Sequence, residues 1–127
     1  MEGTNPKLLS PLVLAFLGDA VYEMCARQKI VNEGNCPVNS MHHKTVGLVC
    51  AKAQSAAFEK LSSHLTEEEM AIYKRGRNAH SASTPKNTDP ADYRRATGVE
   101  ALFGYLYLQG NAARIQELFR LATTQEK

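Results

Sequence analysis

Two carboxylates stand alone in runs that otherwise read as core. Asp19 lies within Leu12-Val13-Leu14-Ala15-Phe16-Leu17-Gly18-Asp19-Ala20-Val21, and Glu100 within Ala96-Thr97-Gly98-Val99-Glu100-Ala101-Leu102-Phe103-Gly104-Tyr105-Leu106. An ionised carboxylate in a low-dielectric interior is costly unless a cation or several donors meet it. Two of them in core-type segments point to one shared feature, with a divalent metal as the natural candidate. Neither acid has a basic partner on its own helix face, whereas Glu23 faces Arg27 one turn on and has a salt bridge to explain it. On spacing alone the alternative stays open that each acid accepts hydrogen bonds from a neighbouring helix or an arginine. The glycines shift the balance, because Gly18, Gly98 and Gly104 each forgo about 1 kcal/mol of helix propensity relative to alanine. They are expected to serve close helix approach where the acids converge.

Basic charge is gathered in one region. Lys74, Arg75, Arg77, Lys86, Arg94 and Arg95 outweigh Asp89 and Asp92 there, in a chain whose formal net charge is only +2. Such a concentration suits a polyanion, since neutralised phosphates release condensed counterions. A solvated loop between two basic helix ends is the equally open alternative. Other chemistries find little support. His42, His43, His64 and His80 with Cys25, Cys36 and Cys50 contain no zinc-binding spacing, and three scattered cysteines read as reduced thiols. There is no P-loop, nucleophile elbow or dinucleotide fingerprint. Tyr22, Tyr93, Tyr105 and Tyr107 could stack on bases, but a helical core or dimer seam suits them better.

The elements that must hold these residues are helices. At 127 residues the chain supports one domain, with an ordered core expected over residues 10–123. No apolar stretch reaches the roughly 20 residues of a membrane span. The first ten residues lack a basic start and apolar run, which makes the cytoplasm the expected compartment. Helical periodicity dominates and the fold class is all-α. Ser10 and Pro11 open a first helix running to about Val31. A second is expected from Asn39 or Ser40 to about Leu65, with Val46, Val49, Cys50, Ala53, Ala57, Phe58 and Leu61 on one face. Thr66 and Glu69 form a capping box for a third, Glu67 to about Asn78. His80 to Asp89 reads as a loop. Asp89-Pro90 begins a helix to about Leu108, and Asn111 caps the last one, to about Thr123.

Phe16-Leu17-Gly18-Asp19-Ala20-Val21 resembles the signature helix of the ribonuclease III catalytic domain, and Val99-Glu100-Ala101-Leu102-Phe103-Gly104 resembles that family's second catalytic helix. Lys74-Arg75-Gly76-Arg77-Asn78-Ala79, Thr84-Pro85-Lys86-Asn87-Thr88-Asp89 and Tyr93-Arg94-Arg95-Ala96-Thr97-Gly98-Val99-Glu100 narrow the resemblance to Mini-ribonuclease III, the short bacterial and plastid branch without a double-stranded-RNA-binding domain. The matching order extends from about Leu12 to Leu121. The resemblance implies an all-helical homodimer that hydrolyses double-stranded RNA with magnesium, for which manganese can substitute, and that in bacteria helps to mature large-subunit ribosomal RNA. It places Asp19 and Glu100 on the metal-binding pair. It sets Lys74, Arg75, Arg77, Asn78, Lys86, Asn87, Arg94 and Arg95 along the RNA. The dimer would use Leu12, Val13, Phe16 and Leu17, an apolar surface that one small domain cannot cover. Two carboxylates of the longer enzymes are absent, since Ala15 stands four residues before Asp19 and Thr97 three before Glu100; Leu12 replaces another acid seven before Asp19. The competing expectation on the same fold is a catalytically weak RNA-binding ribosome-assembly factor. A plastid-bearing host would move the compartment to the plastid stroma.

Overall fold

The computed structural model describes residues 5–79 and 84–124. Among them every regular element is helical: α1 Pro11–Asn32, α2 Val38–Val49, α3 Ala51–Leu61, α4 Glu67–Asn78, α5 Pro90–Leu108 and α6 Ala112–Thr123, with 3-10 turns at Pro6–Leu8 and Ser62–His64. The starts follow their capping chemistry. Ser10 Oγ accepts from the Leu12 N–H at 3.2 Å, Asp89 Oδ1 from Ala91 at 2.8 Å and Asn111 Oδ1 from Arg114 at 3.2 Å. The α4 box is reciprocal, with the Glu69 N–H donating to Thr66 Oγ1 at 3.1 Å and the Thr66 N–H to Glu69 Oε1 at 2.9 Å. Each such cap stabilises its helix by about 1 kcal/mol.

The expected single helix from Asn39 or Ser40 to Leu65 is two helices and a 3-10 turn. Cys50 takes φ −64° and ψ 159°, which ends α2 and starts α3 on a new axis. The corner gives up the bonds that the first three N–H groups of α3 would make in a continuous helix, while the bonds on either side stay: the Cys50 N–H donates to Val46 O and the Gln54 N–H to Cys50 O, both at 3.0 Å. It also rotates the faces apart. Ala57 and Leu61 enter the core, while Val46, expected beside them, is 60% exposed and Cys50 is exposed too. Of the expected loop His80 to Asp89, residues 80–83 lie outside the described residues. Thr84–Asp89 forms a turn in which Asn87 has φ 66°, a left-handed conformation that asparagine tolerates.

Helix α5 runs through the middle, packed on α1, α4 and α3, and nearly all of Val99–Leu106 is buried. That all-round burial explains why its apolar residues show no single stripe. Tyr22 meets Phe103 and Phe119 edge-on, at centroid distances of 4.9 and 5.2 Å, and so ties α1 to α5 and α6. Phe58 and Tyr73 stack at 3.8 Å between α3 and α4. Tyr22 and Tyr105 are buried as expected, whereas Tyr107 is largely exposed. On α6, Arg114 closes a buried pair with Glu69, at 2.7 and 2.8 Å.

Helices α1 and α5 cross with their main chains in contact. A Cβ on Gly18 would overlap the Glu100 carbonyl, and one on Gly104 would overlap the Leu14 carbonyl. Gly98 serves a different crossing: its missing Cβ would lie 2.6 Å from the Tyr73 ring on α4, opposite Gly76. No helix of the described residues is long and apolar enough to cross a membrane.

Candidate active site

The Gly18–Gly104 crossing sets Asp19, the next residue on α1, beside Glu100 on α5. The Glu100 carboxyl is pushed up to about 8, first by burial, then by the charge of Asp19 and a hydrogen bond shared with it; the Gln54 amide on the other side acts in the opposite sense. The expected burial of both acids holds only in part, since Glu100 is half-buried and Asp19 is exposed at the rim of the crossing; two facing carboxylates still disfavour joint ionisation, and a cation between them reverses that preference. No ion pair reaches either acid among the described residues, so the alternative of an arginine filling the space is not what the structure holds. No third His, Cys, Asp or Glu joins them into a metal-binding group among those residues.

This donor set suits a hard cation. Two carboxylate oxygens, with waters and a phosphate completing an octahedron, are a common way to hold magnesium. A buried donor also stands near Glu100: Gln54, on α3, is 1% exposed, and its Nε2 has no hydrogen-bond partner among the described residues. It lies near enough to Glu100 to act on its charge, but not in hydrogen-bonding geometry. The positions that carry acids in longer enzymes have other work here. Ala15 is packed into the core, and the Thr97 hydroxyl donates to Tyr93 O at 3.0 Å on its own helix.

The basic residues separate into three groups. Lys74 and Arg94 are exposed on α4 and α5, and Lys86 and Asn87 are exposed in the turn between these helices. Arg77 lies 5.8 Å over the Tyr73 ring and donates from Nε to Asn78 Oδ1 at 3.1 Å, at the end of α4 that faces Thr97–Ala101. Arg75 and Arg95 have internal partners instead. Arg75 donates to Lys7 O and Leu9 O at 3.2 and 3.0 Å, holding the N-terminal segment onto α4. Arg95 donates to Ser55 Oγ at 3.2 Å and pairs with Asp92 at 3.6 Å, joining α5 to α3. Leu12, Val13 and Phe16 form an exposed apolar face on α1, Phe16 being 84% exposed, and Leu17 is half-buried at its edge.

Gln54 and Ser55 belong to no motif in the sequence, yet both are buried polar residues at the site. The signal that flags Asp19 and Glu100 would have found them, since Gln54-Ser55 is a polar pair inside Ala51–Ala57. The face read from the sequence, with Val46, Val49, Cys50, Ala53, Ala57, Phe58 and Leu61, does not include them.

Fold and site together define a ribonuclease III domain, and residues 12–111 match the family model described as Ribonuclease III domain. The chain is 51% identical over 114 residues to Mini-ribonuclease 3 of Thermoanaerobacter sp. (strain X514), covering 90% of this chain and 80% of that one. It is 45% identical to Mini-ribonuclease 3 of Symbiobacterium thermophilum over 96% of this chain and 94% of that one. The crystal structure of a Fusobacterium nucleatum protein superposes with a TM-score of 0.82 at 30% identity, covering 93% and 94% of the two chains. The chain belongs to the ribonuclease III family, in its Mini-ribonuclease 3 branch, and is an endoribonuclease. That family acts on double-stranded RNA.

Proposed function

We propose that the enzyme hydrolyses double-stranded RNA as a homodimer in the cytoplasm, with a magnesium ion held by Asp19 and Glu100, and that its substrate is precursor large-subunit ribosomal RNA. The observation that carries this is the unpaired Asp19–Glu100 couple at a main-chain crossing. When bound, the cation supplies charge neutralisation at the phosphate and an activated water for in-line displacement. The protein's part is positional. The crossing fixes where the two carboxylates stand. Exposed Lys74, Arg94 and Lys86, with Arg77, Asn78 and Asn87, lie along the phosphate backbone and carry little base information. Arg75 and Arg95 keep the surrounding helices in register. The apolar face of Leu12, Val13, Phe16 and Leu17 meets a second copy, so that two sites address one duplex.

Labelled duplex RNA incubated with enzyme and magnesium, then with excess chelator, tests the chemistry. Cleavage that stops on chelation is expected; no cleavage of generic or ribosomal precursor duplexes would overturn the activity. Sedimentation tests the assembly, the parent running as a dimer at micromolar concentration and Phe16→Asp as a monomer. A monomeric parent with full activity would remove the dimer from the proposal.

A further inference from the structure

We propose that Gln54 is a positioning residue for the metal site, its Nε2 donating to the Glu100 carboxylate once a cation lies between Glu100 and Asp19. The proposal rests on these two acids binding a divalent ion. Gln54 is one of the most buried polar side chains of the described residues, at 1% exposure, and Nε2 finds no partner there. A buried unpaired N–H is unfavourable, and an apolar side chain of the same length would avoid it at no loss of packing. The amide lies close enough to Glu100 to bear on its carboxyl, and a hydrogen bond between them would satisfy both groups.

The surroundings hold the amide there. Its neighbour Ser55 accepts from Arg95 NH1 at 3.2 Å, which fixes the register of α3 against α5 little more than one turn before Glu100. The corner at Cys50 starts α3 only four residues earlier, and the Gln54 N–H closes its first turn on Cys50 O at 3.0 Å. Metal-binding carboxylates generally need an outer hydrogen-bond donor to set their direction. Here the nearest alternatives are unusable, because Thr97 donates to Tyr93 O and Ala15 has no polar group. A neutral donor from α3 thus steadies a site that has only two acids.

The test is calorimetric titration of the full chain with Mn²⁺, without RNA, for the parent, Gln54→Met and Asp19→Asn. Gln54→Met is expected to weaken Mn²⁺ binding by about tenfold or more, while its metal-free thermal midpoint stays level or rises. Affinity within about twofold of the parent, alongside lost binding in Asp19→Asn, would overturn the positioning role and leave the metal site standing. A parent that binds no Mn²⁺ would overturn both. A measurement on the parent alone guards against a variant that does not fold. The Gln54 side-chain amide resonances should move downfield and exchange more slowly on Mg²⁺ addition, and resonances that stay in place would overturn the proposal.

Discussion

Two glutamates in this small domain, Glu69 buried and Glu100 half-buried, live under opposite rules. Glu69 is 5% exposed and fully answered: Arg114 donates to both carboxylate oxygens at 2.7 and 2.8 Å, and the Thr66 N–H adds a third bond at 2.9 Å. Arg114 beside it holds its carboxyl below the usual range. Glu100 has Asp19 for a neighbour and no cation, and its carboxyl is pushed up to about 8. Depth alone does not separate the structural acid from the catalytic one. The difference lies in whether the fold provides the counter-charge or leaves that place to a ligand.

The strongest way to break this contrast is to neutralise each acid in turn. Asp19→Asn and Glu100→Gln should each cut duplex cleavage by at least about 10³-fold, with the metal-free thermal midpoint level or higher, because like charge is removed. Glu69→Gln should do the reverse, keeping cleavage per folded molecule near the parent's while lowering stability. Single-turnover assays with thermal denaturation read both; activity within a few-fold of the parent in Asp19→Asn would end the contrast.

Removing the counter-charge comes next. Arg114→Met leaves a buried carboxylate unpaired and should cost about 3 kcal/mol in urea denaturation, with Mn²⁺ affinity unchanged. A fall in metal affinity as large as the fall in stability would show that the two regions are coupled.

Charge reversal outside both sites should act more mildly. Arg77→Glu is expected to weaken duplex binding by about tenfold on unrelated sequences and to reduce the salt slope by roughly one. An unchanged slope would make the basic segment a solvated surface.

The smallest effect concerns acid. A carboxyl whose folded value is lowered from its ordinary 4.5 contributes stability that is complete above that value. It is lost as pH falls through the lower, folded value. Stability of the parent should thus decline below about pH 4.5, and more shallowly in Arg114→Met. Parallel acid profiles for the two proteins would remove Glu69 from the account.

What could be read from the sequence follows from how local each interaction is. Ser10, the Thr66–Glu69 box, Asp89 and Asn111 act within three residues of where they stand, so four of the helix starts are legible. The corner at Cys50 is not, because it needs neither proline nor glycine and no side chain caps it. The acids Asp19 and Glu100 announce themselves as charges in apolar runs. Their glycines are legible too, although Gly98 turns out to serve Tyr73. Arg114 reaches across 45 positions to Glu69 and Gln54 lies 46 positions before the acid it bears on, and no local pattern encodes such distances. Arg75 and Arg95 look like ligand-facing charge until the carbonyls and hydroxyl that occupy them are seen.

The crossing at Gly18 and Gly104 makes the spacing of Asp19 and Glu100 a property of the main chain. Side-chain fit elsewhere does not set it. Two helices whose carbonyls already press on each other's glycines cannot be drawn closer, and a methyl group added at either glycine would act as a wedge that parts the acids. The site behaves like a calliper locked at one opening. Repacking Tyr22, Phe103 or Phe119 for thermal stability should leave the jaws where they are, so durability and catalysis can be tuned separately. Gly18→Ala or Gly104→Ala would change both at once.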